Sequence, residues 1–168
     1  MAIMLQHLEN WLDKENLVTE AEKIALADDL TRSGRKMRML REAFSVVGPV
    51  ETVMDRILEE RLFHAHQHFL DRRAMDLLRG RKDMKALQDY RIQQLQKTGD
   101  LLRQSLEQAR QLLEGTQNQF QGVEERGLLM KMMSRQRANE HSLEKNIAQV
   151  ADLQNKDMAF CTLHHSSV

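Results

Sequence analysis

The stretch that decides the fold is IQQLQKTGDLLRQSLEQARQLLEGTQNQFQGV, residues 92–123. Its apolar and small residues recur at alternating intervals of three and four positions. This alternation averages 3.5 residues per turn and is typical of helices that pack in a left-handed coiled coil. The spacing resumes near the end of the chain. Knobs-into-holes packing against a partner helix is therefore predicted at Leu95, Leu102, Leu106, Leu113, Phe120, Val123, Leu143, Ile147 and Val150.

A single proline, Pro49, follows Gly48 and divides the sequence into two parts. Proline is favoured at the first position of a helix, and glycine supplies a permissive backbone just before it. Residues 1–48 are predicted to form a cap of short helices. Residues 49–160 are predicted to form long coiled-coil helices, followed by a C-terminal tail at residues 161–168.

Local signals subdivide the predicted cap. Thr19 and Glu22 have the spacing of a capping box, in which a hydroxyl and a carboxylate satisfy free N–H groups at a helix start. Ser33-Gly34 predicts a stop or a kink. We therefore expect two or three short helices before Gly48.

Glycines indicate where the long region can bend. Three of them cluster at residues 115–127, so a turn there would make an antiparallel helical hairpin. The alternative is a helix that runs on and self-associates as an oligomeric coiled coil. A helix from Pro49 to Glu114 would be about 100 Å long and could not bury itself against the cap alone. It would require a return helix, a second copy or a partner.

Composition excludes several classes of protein. The 168 residues carry 25 Lys and Arg against 25 Asp and Glu, and this balance argues against a DNA-coating protein. Aromatic residues make up only 4%, which argues against a β-sandwich or barrel. Cys161 is the single cysteine, so a disulfide framework is impossible. No apolar run approaches the roughly 18 residues of a membrane span, and no secretory signal is recognisable. We therefore expect an all-α, intracellular, cytoplasmic protein without a transmembrane segment.

One candidate metal site stands out, formed by Glu60, His64, His68 and Asp71. On a helix these four residues share one narrow stripe, and imidazoles one turn apart are half of a common metal site. The stripe lies away from the neighbouring apolar positions, so we expect it to be exposed, or completed by another chain. A solvated polar face is the favoured interpretation, and no cofactor or metal is predicted.

Basic residues concentrate in residues 32–82, next to an acidic N-terminal segment. The favoured interpretation is a salt-bridged helix surface, with binding of nucleic acid or an anionic surface as the alternative. The basic set comprises Arg32, Arg35, Lys36, Arg38, Arg41, Arg72, Arg73, Arg79, Arg81 and Lys82.

The motifs of catalysis are missing from the sequence: there is no phosphate loop, dinucleotide fingerprint or nucleophile elbow. We therefore predict a non-enzymatic structural or adaptor subunit that binds proteins, or a second copy of itself, through its helices. In outline, a small helical hairpin is similar to the stalk and chaperone proteins of bacterial type III export systems. That resemblance implies transient binding to an ATPase or to secreted subunits.

Overall fold

The computed structural model describes residues 5–27, 30, 32–77 and 84–165. All regular structure in this part of the chain is helical, which confirms the all-α prediction. None of the described helices is long and apolar enough to cross a membrane. The helices are α1 (Leu5–Leu26), α2 (Gly34–Val46), α3 (Thr52–Leu77), α4 (Met84–Thr116) and α5 (Val123–His165).

Helix α1 is longer than the sequence predicts. The expected helix start at Thr19 is wrong, because neither proline nor glycine interrupts the chain from Leu5 to Leu26. The Thr19 hydroxyl instead donates to the Glu15 carbonyl one turn earlier, at 2.8 Å. The Glu22 carboxylate is engaged by another helix and caps nothing. Ser33-Gly34 marks the start of α2.

The connection between α2 and α3 contains Gly48-Pro49. Pro49 does not open α3, contrary to expectation, because the helix begins at Thr52. Glu51 takes over the capping role: its carboxylate accepts hydrogen bonds from the backbone N–H groups of Val53 at 3.1 Å and Met54 at 2.9 Å. A carboxylate there satisfies free N–H groups and suits the positive end of the helix dipole.

Helices α3 and α4 run in opposite directions side by side. Tyr90 on α4 lies against Asp71 near the end of α3, and Ser105 lies against Arg61 in its middle. One continuous helix from Pro49 to Glu114 is therefore wrong. Helix α1 runs parallel to α3, since Lys14 contacts Asp55 and, further along both helices, Ala25 contacts Arg72.

The chain reverses direction again between α4 and α5, in residues 117–122. Gln88 near the start of α4 donates to the carbonyl of Leu153, and Asn146 donates to the carbonyl of Leu95. The two helices therefore lie antiparallel. Helix α5 continues to His165, so the predicted tail at residues 161–168 begins inside the helix.

The main hydrophobic core lies between α1, α2, α3 and the adjacent halves of α4 and α5. A smaller cluster of Ile92, Leu95 and Leu153 lies further along α4 and α5. The largest buried apolar side chains of the main core are Leu8, Trp11, Met37, Met54, Leu58, Phe69 and Met132.

Candidate functional site

A buried charge network joins four helices at one guanidinium. Arg61 on α3 donates through Nη1 to both carboxylate oxygens of Glu15, at 2.8 and 2.9 Å. The same nitrogen donates to the Ser105 hydroxyl of α4 at 3.0 Å, and Nη2 donates to Glu22 at 2.6 Å. The Asn139 amide of α5 donates to Oε1 of Glu15. The network therefore fixes how α1, α3, α4 and α5 meet.

Burial disfavours the charged forms of Glu22 and Arg61, and the ion pairs within the network oppose this effect. Burial raises the pKa of Glu22 above its ordinary value of 4.5, although Arg61 opposes that change. Burial also acts against the Arg61 cation, but the Glu15 and Glu22 carboxylates outweigh it and raise the pKa of the guanidinium. A buried ion pair adds little stability over apolar packing, yet breaking one side is expensive. The members of the network therefore depend on one another to keep the buried charges compensated.

The four residues of the candidate metal site do not form an exposed stripe. His64 and His68 are buried, because α4 packs over this side of α3. His64 Nε2 is 2.9 Å from the Thr98 hydroxyl, and the rings of the two histidines stack with centroids 6.0 Å apart. Asp71 accepts a hydrogen bond from Tyr90. The expectation of exposure is therefore wrong for the two histidines.

Glu60, the fourth residue, is exposed and pairs with Arg56 one turn earlier, at 2.8 Å. Within the described part of the chain, no group of three or more His, Cys, Asp or Glu side chains could hold a metal ion. The structure uses the two histidines in the contact between α3 and α4.

Both buried histidines are held neutral. Burial lowers the pKa of His68 to about 4, with further contributions from His64 and Arg72. Burial and the nearby Lys97 cation lower the pKa of His64. Burial and the hydrogen bond to Asp71 raise the pKa of Tyr90. The contact between α3 and α4 is therefore polar but uncharged at the imidazoles near neutral pH.

Three of the nine predicted partner-binding residues are buried within the chain. Leu95, Leu102 and Leu113 are buried, and a seam that is buried internally is closed to an outside partner. The other predicted positions differ among themselves. Leu106, Phe120, Leu143 and Val150 are half-buried, Ile147 is exposed, and Val123 is 92% exposed.

Sequence reasoning missed the polar residues that α5 buries. Gln136, Asn139 and Asn146 face the inside of the protein, at spacings of three and seven residues. Asn146 and Asn139 make the interhelical hydrogen bonds described above, to Leu95 and Glu15. The apolar pattern alone could not reveal them. The seven-residue spacing of amides was the available signal.

The basic residues divide between two environments. Those of α2 and the turn before it, Arg32 to Arg41, are exposed, and Lys36 lies 3.7 Å from Glu20. On α3, Arg72 donates to the Ala25 carbonyl, and Arg73 lies over the ring of Phe69. The remaining three predicted members lie outside the described residues: Arg79, Arg81 and Lys82.

An open groove of about 800 Å³ lies between α2, α3 and α4. Phe44, Leu62 and Leu101 contribute apolar surface that is buried in the chain, whereas Phe63 is 68% exposed. A large exposed aromatic side chain beside an apolar groove is typical of a binding surface. We call this the α2–α3–α4 groove. Its defining residues are Arg41, Phe44, Leu62, Phe63, Lys97 and Leu101.

The charges around this groove are unequal. Arg56 and Glu60 neutralise each other. Lys14, at the inner side, is paired with Asp55 at 2.6 Å. Arg41 on α2 and Lys97 on α4 form no ion pair with any side chain in the described ranges. Glu59, a further charged residue of the lining, forms no ion pair in these ranges either, so the unpaired side chains carry one more positive charge than negative and favour an acidic ligand.

Comparison with protein-family models, curated proteins and solved structures finds no significant match to this chain.

Proposed function

We propose that the protein is a non-enzymatic structural or adaptor subunit that binds a partner protein in the α2–α3–α4 groove. The observation that carries this proposal is Phe63, which projects 68% exposed from α3 beside the apolar lining. Aromatic anchors in grooves dominate many protein interfaces. A groove between helices is suited to the apolar face of an amphipathic helix.

Charge selects the kind of partner. A helix lying in the groove would bring its flanking residues close to Arg41 and Lys97, which have no ion pair among the described residues. Acidic flanks would be attracted to these cations, and basic flanks repelled. The proposed partner is therefore an acidic amphipathic helix. A transient partner of the kind bound by type III export stalks and chaperones remains the alternative use of the same groove.

The proposal replaces the internal seam as the partner-binding surface. Leu95, Leu102 and Leu113 are already buried against the rest of the chain. A partner could reach them only by separating α4 from its neighbours. A partner can bind in the groove without separating any helices, so binding there does not require the protein to rearrange.

The test begins with a photo-crosslinking amino acid at Phe63, which captures whatever occupies the groove. Peptide mapping then identifies the captured segment, and calorimetry measures its affinity as a synthetic peptide. We expect an acidic amphipathic helix whose binding weakens at least tenfold with Phe63→Ser and with Arg41→Glu. Met130→Ser is the matched control, because Met130 is 70% exposed on α5, outside this groove. Equal weakening by the control would refute the proposal.

A second candidate function is favoured by the exposed basic side chains of α2: Arg35, Lys36, Arg38 and Arg41. These could bind nucleic acid or another polyanion. Such binding falls steeply with added salt, whereas apolar anchoring by Phe63 largely persists. Recovery of nuclease-sensitive material alone, with no peptide crosslinked at Phe63, would favour this second function over the first.

A further inference from the structure

Helix α2 has one side packed on the core and the opposite side in solvent. Met37 and Phe44 are buried, and Leu40 packs against the core beside them. Met39 and Val46 are seven residues apart, so they share nearly one side of the helix, away from Met37. Met39 is 58% exposed and Val46 is 82% exposed. We call this side the outer face of α2, and its residues are Arg35, Arg38, Met39, Glu42 and Val46.

The arginines of α2 and of the turn before it are exposed and lack counter-ions. None of them forms an ion pair with a side chain in the described ranges, whereas Lys36 is 3.7 Å from Glu20. Glu42 is the single acidic residue of α2, and it too is exposed and unpaired in these ranges. Four unpaired arginines against one glutamate leave a net charge of +3 on this surface. The arginines are Arg32, Arg35, Arg38 and Arg41.

The mixture of cations and aliphatic side chains favours a lipid surface over nucleic acid. Nucleic acid attracts arginine through its phosphates, and single strands are also held by aromatic side chains that stack on the bases. Phe44, the one aromatic residue of α2, is buried, so the outer face offers no such stacking. At an anionic bilayer, arginines contact the headgroups, while aliphatic side chains between them enter the apolar boundary below.

The shape of α2 suits a surface that lies parallel to its axis. The helix has 13 residues and is therefore about 20 Å long. Arg35 and Val46 lie at opposite ends of the helix but on the same side, and Arg38 and Met39 lie between them. A flat anionic surface can therefore contact the whole outer face at once, while Met37 and Phe44 stay in the core.

From these observations we propose that the outer face of α2 binds the surface of an anionic lipid bilayer. Arg35 and Arg38 contact the lipid phosphates, and Met39 and Val46 enter the outermost apolar layer. The proposal names the polyanion of the second candidate function and does not rest on a partner in the α2–α3–α4 groove. None of these four residues lines that groove, so lipid binding and crosslinking at Phe63 can succeed or fail independently.

The experiment is flotation of the purified full chain with lipid vesicles. One set is phosphatidylcholine alone, and the other contains one part phosphatidylserine to three parts phosphatidylcholine. We expect the wild type to bind the mixed vesicles at least tenfold more tightly. Arg35→Glu combined with Arg38→Glu should weaken this binding at least tenfold. Lys131→Glu combined with Lys145→Glu is the matched control, because it makes the same change of charge at exposed positions of α5 and should bind like the wild type.

Two further variants test the other parts of the outer face. Val46→Ser should weaken vesicle binding at least threefold, because less apolar surface enters the bilayer. Its control is Val123→Ser, since Val123 is 92% exposed at the start of α5. Glu42→Gln removes the one negative charge of the face and should tighten binding about threefold. Circular dichroism shows whether each variant keeps the wild-type helix content.

Wild-type protein that leaves the mixed vesicles unbound, or binds both kinds of vesicle equally, overturns the proposal. So does equal weakening by the arginine variant and its lysine control. Vesicle binding that Val46→Ser leaves unchanged also contradicts it, because no apolar side chain then enters the bilayer. If the arginine variant instead loses binding to a DNA duplex while the wild type ignores vesicles, the outer face of α2 binds nucleic acid.

Discussion

At the scale of single residues, we expect a substitution of Arg61 to lower the stability of the protein most. Its guanidinium is enclosed and bound to Glu15, Glu22 and Ser105. Arg61→Met would leave two buried carboxylates without a counter-ion. We expect a loss of about 3–5 kcal/mol in the free energy of unfolding, measured by urea denaturation.

A triple variant supplies the control for that prediction. Combining Arg61→Met with Glu15→Leu and Glu22→Leu removes every charge of the cluster, and well-packed apolar replacements of buried ion pairs are often neutral. We therefore expect the triple variant to be more stable than Arg61→Met alone. If the single substitution costs less than about 1 kcal/mol, the network is not closed as described.

His68 makes stability depend on pH. The folded protein keeps this imidazole neutral down to a pKa of about 4, whereas an unfolded histidine titrates near 6.5. Between these values the unfolded chain binds more protons, so the free energy of unfolding decreases as the pH falls from about 7 to about 4. His64 acts in the same direction, while Glu22, with its raised pKa, acts in the opposite one.

The measurement compares the pH dependence of unfolding for the wild type and His68→Phe, which keeps a ring but cannot be protonated. The His68 contribution is at most about 3 kcal/mol across this interval. We expect the variant to lose less stability on acidification. Parallel curves for the two proteins would show that the fold does not lower the pKa of His68.

At the scale of helices, Gly99 determines how closely α4 approaches α5. A Cβ atom at this position would lie 2.5 Å from Oδ1 of Asn146. Asn146 is buried and donates to the Leu95 carbonyl, so it cannot move without losing that bond. Gly99→Ala should therefore destabilise the protein by about 1–2 kcal/mol, despite the better helix propensity of alanine.

Gly115 offers a matched comparison within α4. It is exposed, and a Cβ atom there would have no neighbour within 4 Å. Gly115→Ala should stabilise the protein by up to about 1 kcal/mol, since alanine lowers the conformational entropy of the unfolded chain. Thermal unfolding of both variants checks the pair of predictions. Equal effects at the two positions would mean that Asn146 does not restrict Gly99.

The same scale explains what the sequence could predict. The apolar repeat of α4 predicted Leu95, Leu102 and Leu113 as contacts with a partner helix. The structure buries them within the chain, because leucines at helical spacing pack equally well against a helix of the same chain. The burial of Asn139 and Asn146 could not be predicted, because an amide is buried only when another segment of the chain supplies its hydrogen-bond partner. Their partners lie 124 and 51 residues away, beyond any local pattern.

For the whole molecule, the sequence predicted helices but not their arrangement. The histidine stripe was expected in solvent, since nothing local shows that α4 packs against it. The α2–α3–α4 groove combines residues that are far apart in the sequence, such as Arg41 and Leu101, so no single sequence motif could predict it. Both surfaces depend on tertiary packing, which also explains why the capping-box pattern at Thr19 was misleading.

The bond between Glu15 and Asn139 spans 124 residues of chain and has a consequence for biosynthesis. A growing polypeptide emerges from the ribosome N-terminus first. Glu15 and Glu22 leave the exit tunnel well before Arg61, and Asn139 follows 124 residues after Glu15. The nascent chain therefore carries the Glu15 and Glu22 carboxylates without their counter-ion until Arg61 has been synthesised. Its main core closes only after α5, which contributes Leu129 and Met132, has been synthesised.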